Sequence, residues 1–255
     1  MRKRVGRPGF ESGRRRGASA PSFSPGDLAG LQLWHDATDA ASVTLNAGNV
    51  AQINDKSGNA RHFSQATASQ QPPYVSGQYI QFEFGAAGKD FLTGGINASA
   101  ILSTADNTIF VVLQADAGQL SNGLVYLGDG TFNGFGSNGT GWRGRLWNGT
   151  LGQSEINLAA AEATKYILTM RRYGGAVTST LAGSLNGGTE TSVASAGTLT
   201  GLAQPWNLPA ADTTFKPSCR FHEEIVYNVA LSVAEVNQVG QYLATKHSLT
   251  WTDIS

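Results

Sequence analysis

At 255 residues the chain can bury a sizeable core, and a 40% hydrophobic content excludes a disordered polymer. Charged residues reach only 14% while glycines number 32, which argues against helical bundles and for short strands joined by turns. The single cysteine, Cys219, excludes an internal disulfide and a cysteine-rich zinc site, and a net charge of zero hides an uneven spread.

Residues 1–16 carry seven basic side chains (Arg2, Lys3, Arg4, Arg7, Arg14, Arg15 and Arg16) against one acid, Glu11, a local balance of +6. The remainder of the chain therefore carries −6. Residues 1–25 are rich in Gly, Pro, Ser and Arg and read as an extended arm without a fold of its own. Gly6, Pro8, Gly9, Gly13 and Gly17 stand where a secretory signal needs an apolar run, so no export signal is expected. No stretch approaches the roughly 20 apolar residues that span a membrane.

The body, residues 26–255, opens with an alternating strand, Leu31 to Leu33, ending near Trp34, a ring expected in the core. Val50 to Ile53 is strand-like and runs into turn chemistry at 54–59. Tyr79 to Phe84 alternates at period two, as a half-buried strand does. Thr108 to Leu113 is a continuous β-branched and aromatic run suited to a central strand. Further strands are predicted over 124–127, 141–147, 166–172, 177–181 and 220–227, most of them separated by Gly or Asn-Gly. Cys219, at the head of the last, reads as a buried thiol. Near the C-terminus, Ser232 with Glu235 three residues on forms a capping box. Val236, Val239, Tyr242 and Leu243 follow at helical spacing, and Gly240 is expected to weaken that helix by ~1 kcal/mol. The spacing predicts an all-β, two-sheet antiparallel sandwich or jelly roll with one C-terminal helix.

Few residues are arranged for catalysis. Glycoside hydrolysis needs two carboxylates about 5–9 Å apart on one face. Glu223 and Glu224 are adjacent, so a regular strand sends them to opposite faces, one toward solvent and one inward. Gly134 to Gly139 spells G-x-G-x-x-G, but turn and strand follow it instead of a helix, and it reads as a glycine-rich loop. The four histidines, His35, His62, His222 and His247, lack metal-ligand spacing. Asp36, Asp39, Asp55 and Asn59 offer oxygen ligands of the kind calcium takes. Their spacing is no EF-hand loop, and turn-stabilising Asx bonds are the favoured account. Phe132, Phe135, Trp142 and Trp147 cluster with Arg143 and Arg145 around glycine-rich turns. Such aromatic and basic groups suit contact with a sugar ring or a protein. Trp142 and Trp147 differ by five, so one is expected in the core and the other exposed.

Residues 31–39, Leu-Gln-Leu-Trp-His-Asp-Ala-Thr-Asp, resemble the L-x-L-W-x-D-A-S-D opening of laminin-G-like, concanavalin A-like jelly-roll domains of bacterial and phage proteins. Asp55 to Asn59 is similar to their D-x-S-G-N loop, and Gln71 to Tyr74 to the R/Q-P-x-Y that follows. Glu224 to Asn228, Leu231-Ser232, Glu235 and 242–246 resemble the closing motif. His35 departs from the pattern, standing where an apolar residue is usual, and Asn186-Gly187 matches the family's N-G hairpin only loosely. The resemblance implies a two-sheet jelly roll of a class that serves as glycan-binding, attachment or structural modules.

Together these readings point to a non-enzymatic phage virion structural protein: a decoration, head-fibre or tail-associated component made in the host cytoplasm. The basic arm would anchor it to other virion proteins, and the body could pack with symmetry mates as a homo-oligomer. The body lacks a basic face, which argues against nucleic acid as the arm's partner. The alternative is a carbohydrate-binding module or adhesin that holds host-surface glycans through Trp142, Arg143, Arg145 and Trp147. No cofactor is expected beyond that calcium option.

Overall fold

The computed structural model describes residues 23–85, 88–120, 125–128, 133–148, 152–209 and 218–255. The basic arm, Arg2 to Arg16, lies outside the described residues, as does Phe132.

Two large antiparallel sheets face each other. The first is ordered Thr191–Ala194, Thr180–Leu185, Lys165–Tyr173, Asn107–Ala115, Cys219–Tyr227, Tyr79–Phe82 and Tyr74–Val75. Leu31–Asp36 joins it by pairing with Cys219–Tyr227. The second is ordered Gly152–Ala159, Gly141–Asn148, Gly134–Ser137, Val125–Gly128, Pro205–Leu208, Leu92–Asn97, Phe63–Ser64, Asn49–Ile53 and Val43–Asn46.

The predicted central strand is central, with both ladders filled: Asn107–Ala115 lies between Lys165–Tyr173 and Cys219–Tyr227. Its side chains alternate between two apolar layers. Ile109, Val111, Leu113 and Ala115 enter the core between the sheets, whereas Phe110 and Val112 face the helix Val233–His247 on the outside. A continuous apolar run is what a strand covered on both faces requires.

The helix starts at Ser232, whose side chain accepts from the Glu235 N–H while the Glu235 carboxylate accepts from the Ser232 N–H. Val236, Val239 and Leu243 are buried against the first sheet. The Lys165 ammonium donates to the His247 carbonyl at 2.9 Å, matching a cation to the negative end of the helix. Ser248 then turns the chain in a left-handed conformation, φ 55°. The tail folds back so that the Trp251 ring lies on Gly240 and its Nε1 donates to Asn237. Gly240 is thus where the indole sits, and its propensity cost is offset by that packing.

Three expectations change. Trp34 is only half-buried and lies in the layer under the helix, not between the sheets. The strand predicted from Val177 begins at Thr180, because the turn after Gly174 leaves Val177 exposed. Gly134–Ser137 is a buried strand of the second sheet, so only the end of the glycine-rich sequence is a turn.

Gly240→Ala separates helix propensity from packing. An added methyl group overlaps the Trp251 indole, so the variant is expected to lose about 1–2 kcal/mol in urea unfolding despite its better helix former.

Candidate functional site

The strand Cys219–Tyr227 organises the polar chemistry. Against Asn107–Ala115 it pairs Val112 with Glu223 but Leu113 with Phe221, so His222 is an extra residue in the ladder. A bulge of this kind shifts the alternation by one. Cys219 and Phe221 point into the sandwich and Arg220 to the opposite face, the side on which His222 and Glu223 lie. Beyond the bulge, Glu224 and Val226 point inward and Ile225 and Tyr227 pack under the helix.

Both glutamates are fully buried, correcting the expectation that one faces solvent. The helix covers the face where Glu223 would have met water. Glu223 Oε1 accepts from Trp34 Nε1 at 2.8 Å, and its Oε2 accepts from His247 Nε2 at 2.6 Å and pairs with the Lys246 ammonium at 2.7 Å. Lys246 also donates to Asp36 at 2.6 Å, Lys56 donates to Asp36 at 3.0 Å, and Lys56 reaches Asp39 at 2.7 Å. Burial alone would raise the Asp36 pKa. The Lys246 charge and hydrogen bonds from Lys246, Thr38 and Lys56 outweigh burial and hold it at about 2. On the other face, Glu224 accepts from Trp206 Nε1 at 2.8 Å and lies 3.5 Å from His35 Nδ1. The atypical His35 is therefore the inward partner of Glu224, its ring against Phe63.

These contacts also answer the calcium option. Asp36 and Asp39 face lysine ammoniums, Asp55 accepts from the N–H groups of Trp34, Ser57 and Arg61, and Asn59 donates to the carbonyls of Leu31 and Gln32. Donors of hydrogen bonds occupy the carboxylate oxygens of the three aspartates. Among the described residues no His, Cys, Asp and Glu group is arranged to hold a metal ion.

The tryptophan and arginine candidates separate. Trp142 and Leu146 are buried between the sheets, so the Trp142 ring is no ligand surface. Arg143, Arg145 and Trp147 alternate with them onto the outer face of the second sheet and are half-buried. Arg143 pairs with Glu155 at 3.5 Å across the adjoining strand.

The first sheet offers a different site, one that composition and motifs did not indicate. The helix covers only part of its outer face. Past the helix C-terminus the registers place Lys165 opposite Gln114, Gln114 opposite Arg220, and Arg220 opposite Gln81. Four polar side chains thus run side by side across four strands, roughly 5 Å apart. Lys165 reaches to the helix end. The other three line an open groove of about 560 Å³ with Glu83, Asp116, Ala117, Ala163 and Ser218. Gln81 Nε2 donates to Asp116 at 2.9 Å, and Arg220 Nε lies 3.6 Å from Asp116. That Nε is shielded from water yet makes no hydrogen bond. The Arg220 guanidinium also lies 5.2 Å from the centre of the Tyr79 ring. Cys219, next to this row, points inward, and burial pushes its thiol well above the ordinary range. It is an inert core group.

Solved structures share this architecture. The binding domain of paraclostridial mosquitocidal protein 1 matches with a TM-score of 0.62 at 13% identity, over 86% of this chain and 53% of that one. The ligand-binding domain of botulinum neurotoxin serotype D, solved with N-acetylneuraminic acid, matches at 0.57 and 9% identity, over 84% and 51%. The binding domain of botulinum neurotoxin DC, solved with rat synaptotagmin II, matches at 0.57 and 12% identity, over 86% and 52%. The fold is a jelly-roll β-sandwich. The chain spans about half the length of the toxin domains it matches. At these identities the likeness concerns the fold alone. No protein-family model matches the chain, and no curated protein matches it in sequence.

Two outcomes follow from the buried network. Lys246→Met removes a cation shared by Asp36 and Glu223, and urea unfolding is expected to show a loss of about 3 kcal/mol, the lower end for a broken buried pair because each acid keeps another donor. Acid acts through His222 first. Burial, then the Lys165 charge, lowers its pKa from 6.5 to about 3. Between those values the unfolded chain binds a proton that the folded chain refuses, so stability is full above pH 6.5 and falls as pH drops toward 3. Asp36 extends the decline, its share being lost between pH 3.8 and about 2. His222→Phe is expected to flatten the pH 6.5–4 segment by about 1.4 kcal/mol per pH unit, measured by urea unfolding across pH.

Proposed function

We propose that this chain is a non-enzymatic recognition domain that binds a carbohydrate in the groove at the uncovered end of its first sheet. The observation that carries this reading is the polar row Gln114, Arg220 and Gln81, flanked by Asp116 and Glu83. Hydroxyl-rich ligands are oriented by such amides, carboxylates and guanidinium groups, and a cleft of this size suits a small ligand. The acids that hydrolysis would call on, Glu223 and Glu224, are sealed from solvent and committed to Trp34, His247 and Trp206, which supports a binding role. The toxin domains of similar fold are themselves described as binding domains, one solved with a sialic acid and another with synaptotagmin II. A glycan array probed with the full chain tests the reading. Arg220→Ala and Asp116→Ala are expected to cut the signal at least about tenfold, the size of a lost charged contact, with Trp147→Ala unchanged. A signal lost only in Trp147→Ala moves the site to the outer face of the second sheet. The absence of a signal on any glycan overturns the carbohydrate reading.

A second reading, the laminin-G-like virion component anchored by Arg2 to Arg16, is favoured by the +6 charge of residues 1–16 and by the motif resemblance. The described body starts at Phe23, whose ring packs edge-on to Tyr242 at 5.9 Å. Deleting residues 1–22 tests the anchoring role. The expected result is an unchanged melting temperature with loss of co-sedimentation with viral particles; undiminished incorporation would sink the anchoring role.

A further inference from the structure

Resting on the carbohydrate reading of the first-sheet groove, we infer that this groove selects amino-bearing and neutral sugars and rejects carboxylated ones. The groove is lined by two carboxylates, Glu83 and Asp116, and one cation, Arg220. Arg220 has its charge paired with Asp116 at 3.6 Å, without a hydrogen bond at Nε, and its guanidinium stands over the Tyr79 ring. The next cation in the row, Lys165, is spent on the His247 carbonyl at the helix end. Glu83 is exposed, and among the described residues its carboxylate has no cationic partner. A ligand ammonium therefore finds an open carboxylate, and sugar hydroxyls find acceptors at Glu83, Asp116 and the side-chain carbonyls of Gln81 and Gln114. Gln81 and Gln114 have turned their N–H₂ groups to Asp116 and to the Ala163 carbonyl, so a geometry in which their oxygens remain for the ligand is already set. A ligand carboxylate meets the opposite situation. It faces Glu83, while the one cation among the described residues of the groove, Arg220, is paired with Asp116, and like charges brought together cost binding. The one face of Tyr79 near the groove is covered by Arg220, and its ring also meets His222 edge-on at 5.6 Å. Among the described residues that line the groove none is aromatic, and recognition there rests on hydrogen bonds and charge.

The test compares three immobilised oligosaccharides of equal length on the full chain: a free-amine glucosamine trimer, its N-acetylated counterpart and a sialylated trisaccharide. The expected order is amine first, then N-acetylated, with the sialylated ligand weaker by about tenfold or more. Glu83→Gln is expected to abolish the advantage of the amine over the N-acetylated trimer, so that the two ligands bind alike. Equal or tighter binding of the sialylated ligand, lost on Arg220→Ala, overturns the selectivity and keeps the groove as the site. Glycan binding that is indifferent to Arg220→Ala, Asp116→Ala and Glu83→Gln overturns the groove itself. Capture of lysine-rich peptides in preference to every sugar, sensitive to Glu83→Gln, overturns the sugar ligand in favour of a protein one.

Discussion

The extra residue in the strand Cys219–Tyr227 is the constraint on which the rest of the molecule depends. A regular strand would keep strict alternation from Arg220 to Tyr227. The bulge at His222 breaks it, so that His222 and Glu223 lie on one side and Glu224 on the other. At the same point the strand changes neighbours along one edge. Tyr79–Phe82 pairs with its first residues, and Leu31–Asp36 pairs with its last ones. The Ala37 N–H donates to the His222 carbonyl at the junction. One irregularity thus decides which of the two adjacent carboxylates enters which buried layer, at the point where two strands meet end to end.

Burying two carboxylates back to back is expensive unless each is satisfied. The two solutions differ. Glu223 is held by Lys246 and His247 of the helix and by the neutral indole N–H of Trp34, 189 residues away in sequence. Glu224 has an indole donor on Oε1, whereas its Oε2 lies 3.5 Å from the His35 imidazole without a hydrogen bond, among the apolar side chains between the sheets. The helix is fastened by Lys246 and His247 in addition to its apolar stripe, and it covers only part of the sheet's outer face. The covered part of that face holds the fold's charges, and the uncovered part carries the groove. The same strand supplies residues to both.

Much of the architecture could be read from residues. The run Thr108 to Leu113 signals a strand buried on both faces, and Ser232 with Glu235 marks the helix start, because both signals are local. Leu92–Asn97 and Pro205–Leu208 carried no such signal. The first contains Gly94 and Gly95 and the second opens with proline, so each is made a strand by its neighbours and not by propensity. Trp142 was legible as one of an alternating pair, but which of the two tryptophans faces inward is decided by the register against Leu158 and Ser137. The groove was illegible for a related reason. Gln81, Gln114 and Arg220 are ordinary polar residues far apart in sequence, and only two independent strand registers set them in a line. Glu223 and Glu224 were correctly assigned to opposite faces, yet the reason neither meets water lies in a helix that closes over one of them.

The order of synthesis acquires a meaning from this arrangement. Leu31–Asp36, Tyr79–Phe82 and Asn107–Ala115 all pair with Cys219–Tyr227, and Asp36 finds Lys246 across 210 residues. Leu31–Asp36, Tyr79–Phe82 and one edge of Asn107–Ala115 therefore lack this partner until residue 227 has left the ribosome, and Asp36 lacks one of its two cations until the helix follows. Contacts of such sequence separation make folding slow and confine it to the time after translation of this segment. Until then three strands expose unpaired edges, and the nascent chain is in its most aggregation-prone state just before the strand that completes it arrives.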